Sequence, residues 1–247
     1  MSDRSKAPAG SEKFELDALQ KAVNYRSAVV GEFAAFLAGR VLEVGAGIGQ
    51  FTGALAAVPA VRELLSVEPE AALCDIFRRS HPGRALVHGT AEAAPVEPSW
   101  DALVAVNVLE HIEDDAGELA RWHQLLVGSS GHLCLFVPAR QEIYAPLDRD
   151  FGHFRRYQRA ELRRKLETAR FVIVRLHYFN LVGYFAWWLS FCVLKKRHFD
   201  TEAVAFFDRF IFPVAHALES HGLRPPIGQS LLAVARAQSQ RGCTKWS

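Results

Sequence analysis

Alternating glycines after an apolar run form the segment with the clearest capacity for chemistry. Gly45, Gly47 and Gly49 come directly after the run 41–44, which contains the acid Glu43. Glycine lets the backbone turn sharply and approach a ligand without a clash at Cβ. The helix expected after such a turn offers free N–H groups to polar ligand atoms. The segment therefore predicts a ligand-binding turn between a strand and a helix.

A second acid makes this prediction more specific. Glu68 ends the next predicted strand, 62–68, and a carboxylate there can accept hydrogen bonds from both hydroxyls of a ribose. Dinucleotide-binding turns have the spacing GxGxxG, whereas this chain has ExGxGxG. The spacing disfavours a nicotinamide-dependent oxidoreductase. The plainer alternative is a simple strand-to-helix turn with a solvated glutamate.

A histidine after the fourth predicted strand could act on a second substrate. His111 follows the strand predicted over 101–107 and could take up a proton from a hydroxyl or an amine near neutral pH. Its alternative role is structural, closing the turn into the next helix.

The predicted loop 139–158 contains a further group of reactive and aromatic side chains. These residues could bind an acceptor or clamp an anionic substrate, and they are Tyr144, His153, Arg155, Arg156 and Tyr157. His153 is the second candidate catalytic residue, after His111. In the alternative interpretation the loop anchors the next helix, and ion pairs join Asp148 and Asp150 to the two arginines.

The most apolar part of the chain is 179–222, which we expect to form a helical insert before the last strand. A membrane-spanning helix needs about 20 apolar residues, and the interruptions at Asn180, Gly183 and Ser190 argue against one. Three roles remain open for the insert. It could pack on the core or on a second copy of the chain as a homodimer, line an acceptor pocket, or contact a membrane surface through 179–197.

Short apolar runs alternate with helical segments of about ten residues, a pattern typical of βαβ units. It predicts an α/β fold with a doubly wound, mostly parallel sheet of seven strands and helices on both faces. We expect one domain over 13–237, between a flexible N-terminus, 1–12, and a flexible tail, 238–247. In such sheets ligands bind beyond the carboxyl ends of the strands, where the glycine turn would lie.

Composition narrows the function classes. Half of the 247 residues are hydrophobic and 23% are charged, which is typical of a globular protein. The net charge is only +2, which argues against a nucleic-acid partner. The four cysteines have no zinc-ligand spacing, and their number and separation favour a cytoplasmic protein. No metal is demanded, although aspartates near the site could hold Mg²⁺.

The motifs together resemble class I S-adenosylmethionine-dependent methyltransferases, in particular the type-11/type-12 group. The segments that carry the resemblance occur in the family's order, and they are VLEVGAGIG, SVEPE, HGTAEAAP, DALVAVNVLEHIED and GHLCLFVP, spread over about 41–138. The resemblance implies a Rossmann-like sheet and S-adenosylmethionine as cofactor, with S-adenosylhomocysteine as product.

The resemblance also implies which residues bind the cofactor. Glu43 would orient the methionine ammonium group, Glu68 would bind the ribose, and Thr90 would flank the adenine. Thr90 departs from the pattern, because the family often has Asp there. The full expected set is Glu43, Gly45, Ala46, Gly47, Gly49, Glu68, Pro69, Thr90, Ala91, Asn107 and Val108.

The expected reaction is methyl transfer to an oxygen or nitrogen atom of a small, partly hydrophobic metabolite. The DxxxGHxRRY stretch over 148–157 resembles a bacterial subset of these enzymes related to cell-envelope proteins. A glycan or lipid-linked envelope intermediate is therefore an alternative acceptor. A protein that binds S-adenosylmethionine without catalysis is a further alternative.

Overall fold

The computed structural model describes residues 20–198, 200–220 and 224–239. The expected flexible N-terminus, 1–12, lies outside this part of the chain, and so does the expected flexible tail beyond Ser239.

A single seven-stranded sheet forms the centre of the described structure. Its strand order is β3-β2-β1-β4-β5-β7-β6. Strand β7 runs antiparallel to both of its neighbours, and the other paired strands are parallel. The predicted doubly wound, mostly parallel sheet is confirmed. The strands are β1 (Gly39–Val44), β2 (Val61–Glu68), β3 (Ala85–His88), β4 (Ala102–Val106), β5 (His132–Pro138), β6 (Phe171–Phe179) and β7 (Ser230–Ala237).

Helices connect the strands and cover the sheet. Helix α1 (Val23–Ala34) precedes β1. The helices between β1 and β6 are α2 (Thr52–Ala56), α3 (Ala71–Ser80), α4 (Asp115–Leu126), α5 (Pro146–Asp150) and α6 (Arg159–Thr168). Helix α5 lies within the segment predicted as a loop. Its five residues are too few to produce a helical hydrophobic pattern, and the sequence signal for it is limited to Pro146 at the first helical position.

The predicted insert before β7 is helical. Helix α7 (Leu181–Trp187) continues into a π-helical turn (Trp188–Val193). Helix α8 (Thr201–Phe206) continues through a second π-helical turn (Phe207–Ile211) into α9 (Phe212–Ser220). Within the described residues no helix is both long enough and apolar enough to cross a membrane.

The core lies on both faces of the sheet because successive strand residues point to opposite sides. On one face Leu103 and Leu135 pack with Trp122 of α4. On the other face Val104 and Phe136 pack in a cluster that includes buried residues of α1.

A third, smaller cluster fastens the insert to the loop before it. Trp187 and Phe191 pack against Ile143, Leu147 and Phe151. The insert therefore serves partly as core packing, one of the roles left open for it, while much of its remaining apolar surface is exposed.

Candidate functional site

The glycine turn after β1 adopts a backbone that favours glycine. Gly45, Gly47 and Gly49 have φ values of 70°, 58° and 88°, in the left-handed region where other residues are strained. A Cβ on Gly45 would lie 2.5 Å from Cγ2 of Val108. Since real Cβ atoms do not approach so closely, the turn can pass Val108 only as glycine.

Glu68 joins the end of β2 to this turn. Its carboxylate accepts a hydrogen bond from the backbone N–H of Gly47 at 2.8 Å and from that of Glu70 at 2.9 Å. Because each carboxylate oxygen has two lone pairs, both can still accept from ribose hydroxyls. Glu68 is buried, so the alternative of a solvated glutamate is wrong.

Glu43 lies beneath the turn as a buried carboxyl group. Its Oε2 accepts hydrogen bonds from the Thr52 hydroxyl at 2.6 Å and the Ser66 hydroxyl at 2.7 Å. Burial raises the pKa of Glu43 to about 7, with a smaller contribution in the same direction from Glu68, although both hydroxyl hydrogen bonds act to lower it. Near neutral pH the buried Glu43 carboxyl group therefore holds a proton more readily than an ordinary glutamate does.

The raised pKa of Glu43 makes folding stability depend on pH. Between its ordinary pKa of 4.5 and about 7, the folded chain holds a proton that the unfolded chain releases, so rising pH should destabilise the fold. At about 1.36 kcal/mol per pKa unit, the loss is roughly 3 kcal/mol, and it should level off above pH 7. Urea unfolding of the wild type and of Glu43→Gln at pH 4.5, 5, 6, 7 and 8 measures it. A difference between the two proteins that stays constant with pH would contradict this.

Replacing Glu68 should weaken cofactor binding. Glu68→Ala removes an acceptor of charge-assisted hydrogen bonds and should cost about 1–3 kcal/mol, which corresponds to about 5–150-fold in Kd. Calorimetric titration with S-adenosylmethionine measures the change. Glu70→Ala, two residues away and exposed, is the matched control and should keep wild-type affinity; equal affinity in both variants would show that Glu68 lies outside the site.

The side of the site where the adenine is expected is more exposed to solvent than Glu43 and Glu68 are. Nε2 of His88, at the end of β3, lies 3.0 Å from the carbonyl oxygen of Pro69. Ala91 is buried and Thr90 is exposed, with its hydroxyl oxygen accepting from the N–H of Glu92 at 3.4 Å. Thr90 thus caps the short turn that follows it, in the position where the family often has Asp.

Asn107 connects the glycine turn to a neighbouring cavity. It directly follows β4 with a φ of 52° and donates its backbone N–H to the carbonyl oxygen of Phe136 at 2.9 Å. Its neighbour Val108 faces Gly45, while Asn107 itself lines the cavity. The glycine turn and the cavity therefore meet at these two residues.

The cavity has a volume of about 450 Å³ and lies at the same edge of the sheet as the glycine turn. Asn107 and Asn180 directly follow β4 and β6, Pro138 is the last residue of β5, and Ser230 begins the antiparallel β7. Most of the wall is apolar, with aromatic contributions from Tyr25, Phe151, Trp187, Phe191, Phe206 and Phe207. The polar lining includes His153, Arg156 and Asp208. The combination of apolar walls and few polar groups is typical of small-molecule sites.

A buried ion-pair network holds the polar side of the cavity. Oδ1 of Asp148 lies 2.9 Å from Nδ1 of His153 and 2.8 Å from Nε of Arg156, and Oδ2 accepts from the N–H of Ala145 at 2.8 Å. Burial acts to raise the pKa of Asp148, but the hydrogen bond from His153 and the charge of Arg156 outweigh it, so the pKa lies below its usual range. The Arg156 guanidinium stacks on Trp187 at 4.3 Å.

The five predicted substrate-binding residues separate into two groups. His153 and Arg156 line the cavity, and the hydroxyl of Tyr144 supports them by donating to the carbonyl oxygen of His153 at 2.7 Å. Arg155 and Tyr157 instead contact Asp115 at 2.7 Å and 2.9 Å.

The ion pairs expected for the helix-anchor interpretation are only partly present. Asp148 does pair with Arg156, but Asp150 pairs with Arg197. A long-range partner such as Arg197 carries no local sequence signal.

The two candidate catalytic histidines lie side by side. His111 ends a short 3₁₀ turn, and its ring meets that of His153 edge-on at a centroid distance of 4.6 Å. Desolvation and the neighbouring His153 both lower the pKa of His111. His111 keeps an exposed surface, which limits the size of the shift without changing its direction.

Sequence reasoning missed three residues that the structure brings to this region. Tyr25 reaches the cavity from α1, and Glu110 is fully buried beside His111. Asn180 has a left-handed backbone, and its side chain accepts from the N–H of Gly183 at 2.9 Å. Only Asn180 carried a usable signal, because asparagine is a preferred N-cap residue.

The fold and the glycine site define a class I methyltransferase arrangement, and comparison with known proteins agrees. A family model described as a methyltransferase domain matches residues 17–176. The chain therefore belongs to the methyltransferase-domain family. A search of curated proteins gave no significant match.

Solved structures with the same fold come from several organisms. One is from the complex between the Haloferax volcanii Trm112 methyltransferase activator and its candidate methyltransferase (13% identity, 94% of this chain and 100% of that chain, TM-score 0.60). Another is a candidate methyltransferase from Bacillus halodurans C-125 (19%, 86% and 99%, 0.58). A third is a TehB-like S-adenosylmethionine-dependent methyltransferase from Corynebacterium glutamicum (16%, 94% and 100%, 0.55).

The residues present fit S-adenosylmethionine, the cofactor of this class. A Cβ at Gly45 would clash with Val108, so the turn needs glycine there, and Glu68 presents a buried carboxylate at the end of β2. The cofactor prediction is confirmed at the level of family and fold. The roles of the individual cofactor-binding residues remain predictions.

Proposed function

We propose that this chain transfers a methyl group to an oxygen or nitrogen atom of a small, partly hydrophobic acceptor bound in the cavity. The observation that carries the proposal is the position of that cavity. Asn107 lines the cavity, and the side chain of the next residue, Val108, lies against Gly45 in the glycine turn. An acceptor in the cavity would therefore lie next to the methionine end of the cofactor site.

In this proposal the chain supplies positioning and electrostatics. S-adenosylmethionine supplies an electrophilic methyl group and leaves as S-adenosylhomocysteine. Glu68 and the glycine turn hold the cofactor, and the aromatic walls exclude water and orient the acceptor. Arg156 and His153 contact its polar part, and either His153 or His111 accepts the proton that a hydroxyl or amine acceptor releases.

Calorimetric titration with S-adenosylmethionine, S-adenosylhomocysteine and NADH tests the cofactor. We expect micromolar binding of the first two and none of NADH. Binding of NADH alone would overturn the proposal. A screen of apolar hydroxyl and amine acceptors, with S-adenosylhomocysteine release as the readout, then separates an enzyme from a protein that only binds the cofactor.

A lipid-linked acceptor, delivered at a membrane surface, is favoured by a second observation. The insert exposes large apolar side chains on both of its helical segments, which together we call the apolar face and which are Phe185, Trp188, Leu189, Val193, Leu194, Phe206, Phe210, Val214 and Leu218. Three exposed cations, 195–197, directly follow Leu194 in the chain, the last of them paired with Asp150, and Phe206 also lines the cavity. Apolar side chains bordered by cations suit a membrane interface with anionic lipids.

Flotation with vesicles tests the apolar face. We expect the wild type to float with phosphatidylglycerol-containing vesicles, and the double variant Trp188→Ser, Leu189→Ser to lose most of that binding. Val96→Ser, which changes an exposed apolar residue elsewhere, is the control. If the wild type stays unbound and light scattering shows a dimer that the double variant abolishes, the face is a homodimer interface and the membrane proposal fails.

A further inference from the structure

Three side chains next to the cavity form a group with the composition of a metal site. The carboxylate of Glu110 and the imidazoles of His111 and His153 each offer a ligand atom, and these atoms lie within 4.8 Å of one another. We propose that this cluster binds a divalent transition-metal ion. Two imidazole nitrogens and one carboxylate oxygen are ligands that suit Zn²⁺, Co²⁺ or Fe²⁺ better than Mg²⁺.

The two segments that supply the ligands are joined by their backbones. Glu110 and His111 belong to the 3₁₀ turn after β4, and His153 follows α5. The N–H of Phe154 donates to the carbonyl oxygen of Glu110 at 2.9 Å, which fixes the turn beside His153. Only small side-chain movements would then be needed to bring the three ligand atoms around one ion.

Asp148 provides an independent indication of metal binding, because it orients one ligand. Its carboxylate is paired with the Arg156 guanidinium and therefore acts as an acceptor, so Nδ1 of His153 donates to it at 2.9 Å. Nε2 of His153 then carries the lone pair. A carboxylate that holds the far nitrogen of a histidine is the usual outer partner of a metal-binding imidazole.

The position of the cluster indicates how the ion would be used. His153 lines the cavity, and three protein ligands leave at least one coordination position for another molecule. A metal ion there would lower the pKa of an acceptor hydroxyl that binds it, and because both imidazoles would then be ligands, the proton would leave to solvent rather than to His111 or His153. The substrate class would then be an alcohol, phenol or vicinal diol, methylated on oxygen. This use rests on the proposed methyltransferase function, whereas metal binding itself does not.

Titration of the metal-depleted protein with Co²⁺ and Zn²⁺ tests the site. We expect one ion per chain, and Co²⁺ absorption bands typical of mixed nitrogen and oxygen ligands. His111→Ala, at an exposed position, and Glu110→Gln should each weaken binding by more than about 10-fold, since even outer partners typically contribute 10–100-fold. His132→Ala, at the opposite edge of the sheet in β5, should leave binding unchanged.

The proposal is overturned if the wild type binds no ion, or if His111→Ala binds as tightly as the wild type. Circular dichroism confirms that each variant is folded. Titration of the same proteins with S-adenosylmethionine separates the two proposals. Absence of metal binding by the wild type, with its cofactor binding intact, would count against the metal site alone, and absence of cofactor binding by the wild type would count against the methyltransferase proposal alone.

Discussion

Replacing Gly47 with aspartate should abolish detectable binding of S-adenosylmethionine, with a loss on the order of 100-fold or more in affinity, equivalent to at least about 2.7 kcal/mol. Two causes act together. The φ of Gly47 is 58°, a left-handed conformation that costs free energy for a residue with a Cβ, although less for Asp than for most. The new carboxylate would also lie close to Glu68, whose oxygen is 2.8 Å from the Gly47 nitrogen. The like charges and the filled space would both oppose the cofactor.

The matched control for this substitution is Gly53→Asp. Gly53 lies in α2, where a Cβ would meet no atom within 4 Å, so the same change in charge should leave cofactor affinity within about twofold. Calorimetric titration of both variants, with thermal unfolding to confirm folding, makes the comparison. If Gly47→Asp is folded and binds as tightly as Gly53→Asp, the cofactor does not use the glycine turn.

Removing the Asp148 carboxylate should destabilise the fold by about 3–5 kcal/mol, because it leaves the buried Arg156 without the acid that pairs with it. Asp148 is fully buried and binds Arg156, His153 and the backbone N–H of Ala145. All of these groups would lose a partner in Asp148→Ala. The free energy of unfolding, measured with urea at pH 7, should fall by that amount.

An exposed ion pair gives the control for Asp148→Ala. Asp75 pairs with Arg78 at 3.3 Å on the surface of α3, and exposed pairs of this kind contribute at most about 1 kcal/mol. Asp75→Ala should therefore change the free energy of unfolding by less than that. A similarly small change in Asp148→Ala would show that Arg156 finds another partner or reaches solvent, and that the network does not hold the cavity wall.

Local sequence patterns were sufficient to predict the sheet and the glycine turn. Seven strands were expected, and all seven are present within the described residues. The positions of Gly45, Gly47 and Glu68 follow from the spacing of glycines and acids along two neighbouring strands. Such features can be read from sequence because backbone conformation at a turn and burial along a strand depend mainly on nearby residues.

Long-range packing decided the rest of the site. The amino-acid sequence by itself determined the glycine turn after β1 and the acid that ends β2. Only the tertiary structure decided that His153 meets His111, that Arg155 turns to Asp115 while Arg156 turns to Asp148, and that the insert forms one wall of the cavity. The physical reason is that partner choice among charged and aromatic side chains depends on which distant segments the sheet brings together, and spacing along the chain does not encode that distance.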